Sequence, residues 1–253
     1  MTDDIRPLGV VNRALPGINQ DNTQVPYRLG RRGELFSLPI GRARFALADQ
    51  GTYFVAHNAT NDAATTLAGH AAPVLADADA TMTKPFIHLM MASSATARAY
   101  IDFIEIEVVT AGANGTQACW AAQLDTGTTR VSSGGTALTQ VNPNMQSSAT
   151  PSLTCLGGAV VTGAESASVR HLGHGTLRPS IEIAGDIKLF SFGGEPEVAG
   201  AGGVTAAAAI RKSVVVLPPV ILGPTDQLLL ALHGQASQDA AGVYKVRMGW
   251  WEV

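Results

Sequence analysis

From Ser213 to Val253 the chain reads as four strands in succession, with no helical period among them. Ser213-Val-Val-Val-Leu217 is apolar and β-branched, Pro218-Pro219 stops it, and Val220-Ile-Leu222 starts another run. Gly223-Pro-Thr-Asp226 is a turn cluster, and Gln227-Leu-Leu-Leu-Ala-Leu-His233 follows. The last run, Val243 to Val253, alternates. Tyr244, Val246, Met248 and Trp250 fall on one face, and Lys245, Arg247 and Gly249 on the other. Period-two alternation bounded by Gly and Pro is the pattern of half-buried antiparallel strands. The chain is therefore expected to be all-β, an antiparallel β-sandwich of the jelly-roll kind.

The same pattern extends upstream. Phe45-Ala-Leu-Ala48 and Gly51-Thr-Tyr-Phe-Val-Ala56 open it, and Lys84 to Met91 is the next apolar run. Ala99 to Val109 is a strong strand, with Ile104, Ile106 and Val108 opposite Glu105 and Glu107. Asn114-Gly115 signals a hairpin that returns through Gln117 to Leu124. Leu153 to Val161, Val169 to Leu177 and Ile181 to Phe192 supply further strands, and Gly157-Gly158 marks a bulge or tight bend. Val204 to Lys212 is the one helix-like stretch. The expected core comprises Phe103, Ile104, Ile106, Trp120, Leu189, Val215, Leu230, Val246 and Trp250.

Residues 1–45 differ. Pro7, Pro16, Pro26 and Pro39 recur among Gly, Asn, Gln and Arg, and no strand or helix period survives. Proline removes a backbone donor and fixes φ, so this segment is expected to be an extended arm, with 46–253 as the sandwich domain. Seven arginines precede residue 45 against four acidic residues, a local charge of +3 in a chain whose net charge is −3. An acidic net balance argues against nucleic-acid binding through a basic field. Charged residues make up 15% of the chain, against about 25% in a typical domain. A surface this sparsely charged suits a protein covered by neighbours, although a GC-rich genome gives the same composition. No run approaches the ~18 apolar residues of a membrane span. Met-Thr-Asp-Asp at the start lacks the apolar core of a secretory signal, so assembly in a cytoplasm is expected.

Catalytic chemistry finds little support. Asp125-Thr-Gly127 has the form of an aspartic-protease loop, but that chemistry needs two carboxylates sharing a proton. The single copy is expected to be turn chemistry in a polar loop. His171-Leu-Gly-His174 has a spacing a metal can use, but Gly173 and Gly175 predict a turn, and no Cys or carboxylate flanks it at ligand spacing. No Gly-x-Ser-x-Gly elbow and no phosphate loop occurs. No catalytic residue, metal or cofactor is expected. Cys119 and Cys155 lie in strand-like contexts and are expected to be buried thiols. Trp120, Trp250 and Trp251 are candidates for a sugar-stacking platform. Trp251, out of phase with Trp250, is the exposed aromatic contact.

Several segments together resemble β-sandwich virion proteins of tailed bacteriophages. They are Leu47-Ala-Asp-Gln-Gly-Thr-Tyr-Phe-Val-Ala-His-Asn-Ala-Thr60, Tyr100-Ile-Asp-Phe-Ile104, Arg130 to Met145, and the Leu-Pro-Pro strand with its terminal Trp-Trp-Glu. The resemblance implies a capsid decoration or cement protein, located in the virion and binding the major capsid protein. A fibre or adhesin module that binds a host-surface glycan is the alternative. It implies no enzymatic activity. Within it, Arg28, Arg31, Arg32, Arg42 and Arg44 are the expected capsid-binding residues of the arm, and the body is expected to self-associate as a trimer or dimer.

Overall fold

Apolar side chains at every second position commit most of this chain to strands buried on one face. A computed structural model describes residues 47–58, 85–110, 119–127, 130–177, 183–194, 212–233 and 243–253, all within the unit Leu47–Val253. The strands are β1 (Tyr53–His57), β2 (Ile87–Met91), β3 (Ala99–Thr110), β4 (Cys119–Thr126), β5 (Val131–Ala137), β6 (Thr139–Val141) and β7 (Leu153–Thr162). They continue with β8 (Arg170–Thr176), β9 (Ile187–Phe192), β10 (Lys212–Leu217), β11 (Val220–Leu222), β12 (Asp226–His233) and β13 (Val243–Glu252). The arm with Arg28, Arg31, Arg32, Arg42 and Arg44, the Asn114-Gly115 turn and all of Val204–Lys212 but its last residue lie outside the described residues.

Two sheets pack face to face. One runs β10-β9-β3-β13-β1-β6, with β11 also paired to β3; the other runs β5-β7-β2-β12-β4-β8. Every described pair is antiparallel except β9 with β10. The expected all-β sandwich is thus present, while nothing in this strand order establishes a jelly roll. One corner is unusually tight: β5 edges one sheet, β6 edges the other, and only Leu138 lies between them. Leu138 is buried, and its amide donates to the Cys155 carbonyl at 2.9 Å, so the crossing is plugged as well as short.

The core lies between the sheets. Ile104, Ile106, Met248 and Trp250 from one sheet meet Ile87, Leu89, Leu228 and Leu230 from the other in a single buried cluster. Aromatic pairs cross the gap edge to face, Trp120 with Phe190 at 5.8 Å and Phe86 with Tyr244 at 5.2 Å. Glu252 ties the layers at one end. Its carboxylate accepts from the amides of Ser152 and Leu153 and from Trp250 Nε1.

Phase decides which predicted core residues are inside. In β3 the residues of the inter-sheet core are Ala99, Ile101, Ile104, Ile106 and Val108, and half-buried Phe103 points to the outer face. In β9, Lys188, Phe190 and Phe192 face inward and Leu189 outward. Adjacent residues of a strand cannot share a face, which is why Phe103 and Ile104 could not both belong to the core. Trp120 and Val215 are partly buried against it.

Two local expectations are corrected, and one strand carries no apolar signal in the sequence. Residues 47–49 form a helical turn rather than strand, closed by hydrogen bonds from Gly51 and Thr52 back to Ala48 and Leu47. β4 does not return beside β3; it crosses to the other sheet and pairs with β12 and β8. The polar stretch 131–137 is a strand, β5, held by β7 through two register irregularities, with Gly134, Gly135 and Gly158 at positive φ. One other glycine is dictated by a close approach. β9 ends at Phe192, and β10 steps through Pro218-Pro219 into β11, beside the part of β3 that β9 leaves uncovered. Gly193, at φ 67°, makes room: a Cβ there would lie 2.9 Å from the Pro219 ring.

These phases generate a paired stability test. Trp250→Ala is expected to cost about 3–5 kcal/mol through the cavity it leaves. Leu189→Ala, on the half-buried outer face, is expected to cost well under half of that. Equal losses in chemical denaturation would show that the strand phases are wrong.

Candidate functional site

Asp125 is the residue whose surroundings differ most from the sequence expectation. It sits within β4, not in a polar loop, and is 4% exposed. Alternation along β4 turns Ala122 towards the inter-sheet core and sends Ala121, Gln123 and Asp125 to the far face of the sheet. There Asp125 Oδ1 accepts from the Thr126 amide at 2.8 Å and from Ser166 Oγ. Its Oδ2 accepts from the Ser166 amide at 3.2 Å and lies 3.1 Å from Arg130 Nε. Arg130, 2% exposed, also donates to the Gly163 carbonyl at 2.5 Å and to Gln123 Oε1 at 3.2 Å. Gln123 Nε2 in turn donates to Glu165 Oε1 at 2.6 Å.

Burial alone pushes the Asp125 carboxyl up, but the donors from Ser166 and Thr126 and the Arg130 charge outweigh it and hold the group below its ordinary 3.8. Burial pushes the Arg130 guanidinium down, and Asp125 and Glu165 oppose that. A carboxylate kept ionised by hydrogen-bond donors from Ser166 and Thr126, with a guanidinium beside it, differs from one of a proton-sharing pair, whose mutual repulsion raises one of the two pKa values. The arrangement works as a clasp: it fastens residues 163–166 to the back of the sheet.

A second buried polar group lies on the same face. Gln227 Nε2 donates to the Gly127 carbonyl, which leaves its Oε1 facing His88 Nε2 at 2.7 Å. An amide oxygen only accepts, so the His88 proton is on Nε2 and Nδ1 carries the lone pair. His88 is fully buried, and burial lowers its pKa from 6.5 despite the Gln227 hydrogen bond, with the Arg130 charge adding to the fall.

The remaining candidates are dispersed. His171 and His174 lie on β8, within the strand expected from Val169 to Leu177 and not in the turn expected at Gly173 and Gly175, and both are exposed. Gly173 and Gly175 are there because the Trp120 indole packs over them; a Cβ at either would lie 3.1–3.2 Å from it. Among the described residues no cluster of three or more His, Cys, Asp or Glu is placed to hold a metal. Cys119 and Cys155 are buried, and burial pushes the Cys155 thiol up to about 12, which leaves it unreactive. Clefts among the described residues include two of about 320 and 330 Å³. One is beside Asp125, Arg170 and Asp226; the other lies over the charged ladder of His57, Arg247, Glu105, Lys245 and Glu107.

The three tryptophans form no common platform. Trp250 is buried against Phe54, and Trp120 packs on Phe190. Trp251 is half-buried on the outer face of the seven-stranded sheet, in a transverse row Tyr53, Trp251, Tyr100, Ile221 set by the strand register. Its ring is parallel to that of Tyr100, 3° apart in plane at 5.6 Å, so the two rings cover faces of one another. Gly249, in the next row, leaves space for this packing. A Cβ there would strike Tyr53 Oη and lie 2.7 Å from Phe103. Tyr53 is fixed in that position by donating to Asp102 at 2.8 Å. No protein-family model matches the chain, and no characterised protein or solved structure is found similar to it.

The clasp has a pH signature. A carboxyl with a depressed folded-state pKa contributes its full stability above the ordinary 3.8 and loses it as the pH falls through the lower folded value. His88 acts higher. Below 6.5 the unfolded chain takes up a proton that the buried ring does not, so stability falls as the pH drops through that value. Asp125→Asn is expected to lose about 3 kcal/mol at neutral pH, because buried Arg130 loses its nearest counter-charge and keeps only the more exposed Glu165, 3.6 Å away. Its stability should also depend less on pH below 4 than the parent's. A variant as stable as the parent at neutral pH would refute the clasp.

Proposed function

We propose that this protein is a structural component of a tailed-phage virion, a decoration or cement protein that binds the major capsid protein and stabilises the capsid lattice. The observation that carries this reading is how the described body distributes its polar and apolar groups. Several of its buried ionisable groups serve as internal ties, Asp125 with Arg130 and Glu252 with the backbone of Ser152 and Leu153. Its exposed surface, by contrast, carries aliphatic side chains on strands, with Val214 at 37%, Val216 at 42% and Ile221 at 48% exposure. Such a body suits association better than turnover.

The sequence resemblance and the low charge support the same reading. The arm is the anchor in it: Arg28, Arg31, Arg32, Arg42 and Arg44 meet acidic groups of the capsid surface, where guanidinium forks favour bidentate carboxylate contacts. The glycan-binding alternative depends on ring faces open to solvent, and the mutual stacking of Trp251 and Tyr100 weighs against it.

The test is binding to capsids stripped of accessory proteins, at several salt concentrations. The full chain is expected to bind in a salt-sensitive manner. A truncation starting near Phe45, and a full chain with Arg28, Arg31 and Arg32 all changed to Ala, should stay folded but bind at least about tenfold more weakly, a loss of ~1.4 kcal/mol. Full-strength binding by the truncated body would overturn the arm as anchor. If neither form binds heads, a tail or fibre location replaces the capsid reading.

A further inference from the structure

Among the described residues the two strand paths end on β5, β6, β8 and β10, and three of these ends carry features that block further pairing. β6 is only three residues long. β5 is broken by two register shifts against β7 and by Gly134 and Gly135 at positive φ. β8 has a register irregularity against β4 and exposes Arg170, His171 and His174. Short length, bulges and charge are the usual devices that keep a sheet edge from adding another strand. β10 has almost none of them. It is six residues long, pairs with β9 in unbroken register from Lys212 to Leu217, and bears a single charge, at its first position. Its outward side chains Val214 and Val216 continue into Ile221 on β11 as one aliphatic strip.

We infer that β10 is a homodimer interface: a second copy of this chain adds its own β10 antiparallel to the first and extends the seven-stranded sheet across a two-fold axis. The occupant is a second copy because the strand is self-complementary. A two-fold axis normal to the sheet keeps Val214 and Val216 of both copies on the outer face when it passes through residue 214 or residue 215. In either register Lys212 of one copy is opposite residue 216 or 218 of the other. The two ammonium-bearing positions are then at least ~13 Å apart along the strands, at 3.3 Å per residue, beyond a Debye length of about 8 Å. The sole charge on the strand therefore does not oppose the pairing. An isologous contact of this kind closes at two copies and leaves no growing edge.

This inference deepens the self-association within the proposed function, and its readouts need no capsid, so the two can fail separately. Sedimentation velocity of the full chain across a concentration series is expected to show a monomer–dimer equilibrium. Val216→Lys and Val214→Lys should each raise the dissociation constant at least about tenfold, the equivalent of ~1.4 kcal/mol, with an unchanged near-UV dichroism spectrum. Val141→Lys is the matched control, since Val141 on the β6 edge is as exposed as Val216, at 42%; it should leave the equilibrium unchanged. Under mild oxidation, whichever of Val214→Cys and Val215→Cys lies on the axis should cross-link into a dimer. A chain that is monomeric throughout, a dimer unaffected by both lysine variants, an equal loss in Val141→Lys, or no cross-link from either cysteine would each overturn the interface. Salt-sensitive capsid binding by Val216→Lys as a monomer would leave both the interface and the arm standing.

Discussion

Everything in this body depends on the one buried cluster to which β12 and β13 both contribute. Each strand is central in its own sheet, β12 between β2 and β4 and β13 between β1 and β3. Leu228, Leu230 and Leu232 on one and Val246, Met248 and Trp250 on the other are at most 2% exposed and belong to one buried cluster. Burying an aliphatic or aromatic side chain contributes roughly 1.5–3 kcal/mol, so six at the junction of the two layers outweigh any single tie at the rim. The neighbouring strands take their register from these two, and that register in turn fixes which residues share the transverse rows on the outer faces.

The legible part of the fold was the part that obeys period two. β3 and β13 alternate cleanly, and their inner and outer faces follow directly from the residues. Two things were not legible. One was the partner of each strand: Asn114-Gly115 suggests a local hairpin, yet β4 leaves for the other sheet, because alternation specifies a strand's faces and not its neighbour. The other was β5, whose Ser, Gly and Thr content carries no apolar period. It is a strand because β7 offers it hydrogen bonds at a sheet edge.

The site was less legible still, for a related reason. Gln123, His88 and Gln227 look like ordinary surface positions of half-buried strands, since they alternate with Ala122, Leu89 and Leu228, and Asp125 reads as the start of a polar turn. Their burial comes from chain that is distant in sequence. Ser166 lies 41 residues from Asp125, and His88 lies 139 from Gln227. The one signal present was Arg130, an arginine set among Thr, Val and Ser shortly after an Asp. A charge isolated in a neutral stretch is a reason to look for its partner. Trp251 shows the opposite case. The sequence phase correctly placed it outside the core, but only the register across β3 reveals that Tyr100 covers its face.

The position of the last two strands also sets an order of events for synthesis. Before residue 226 has been made neither sheet has its centre, and β2, β4, β1 and β3 are without the strand that joins them. Local hairpins can form early, but the core cannot close until β13 is complete. Most pairings here join residues far apart in sequence, the condition under which folding falls in the range of about milliseconds to seconds rather than microseconds. A nascent chain of this design therefore carries unpaired strand edges until β12 and β13 have been made, which favours chaperone engagement and makes products truncated before them prone to aggregate.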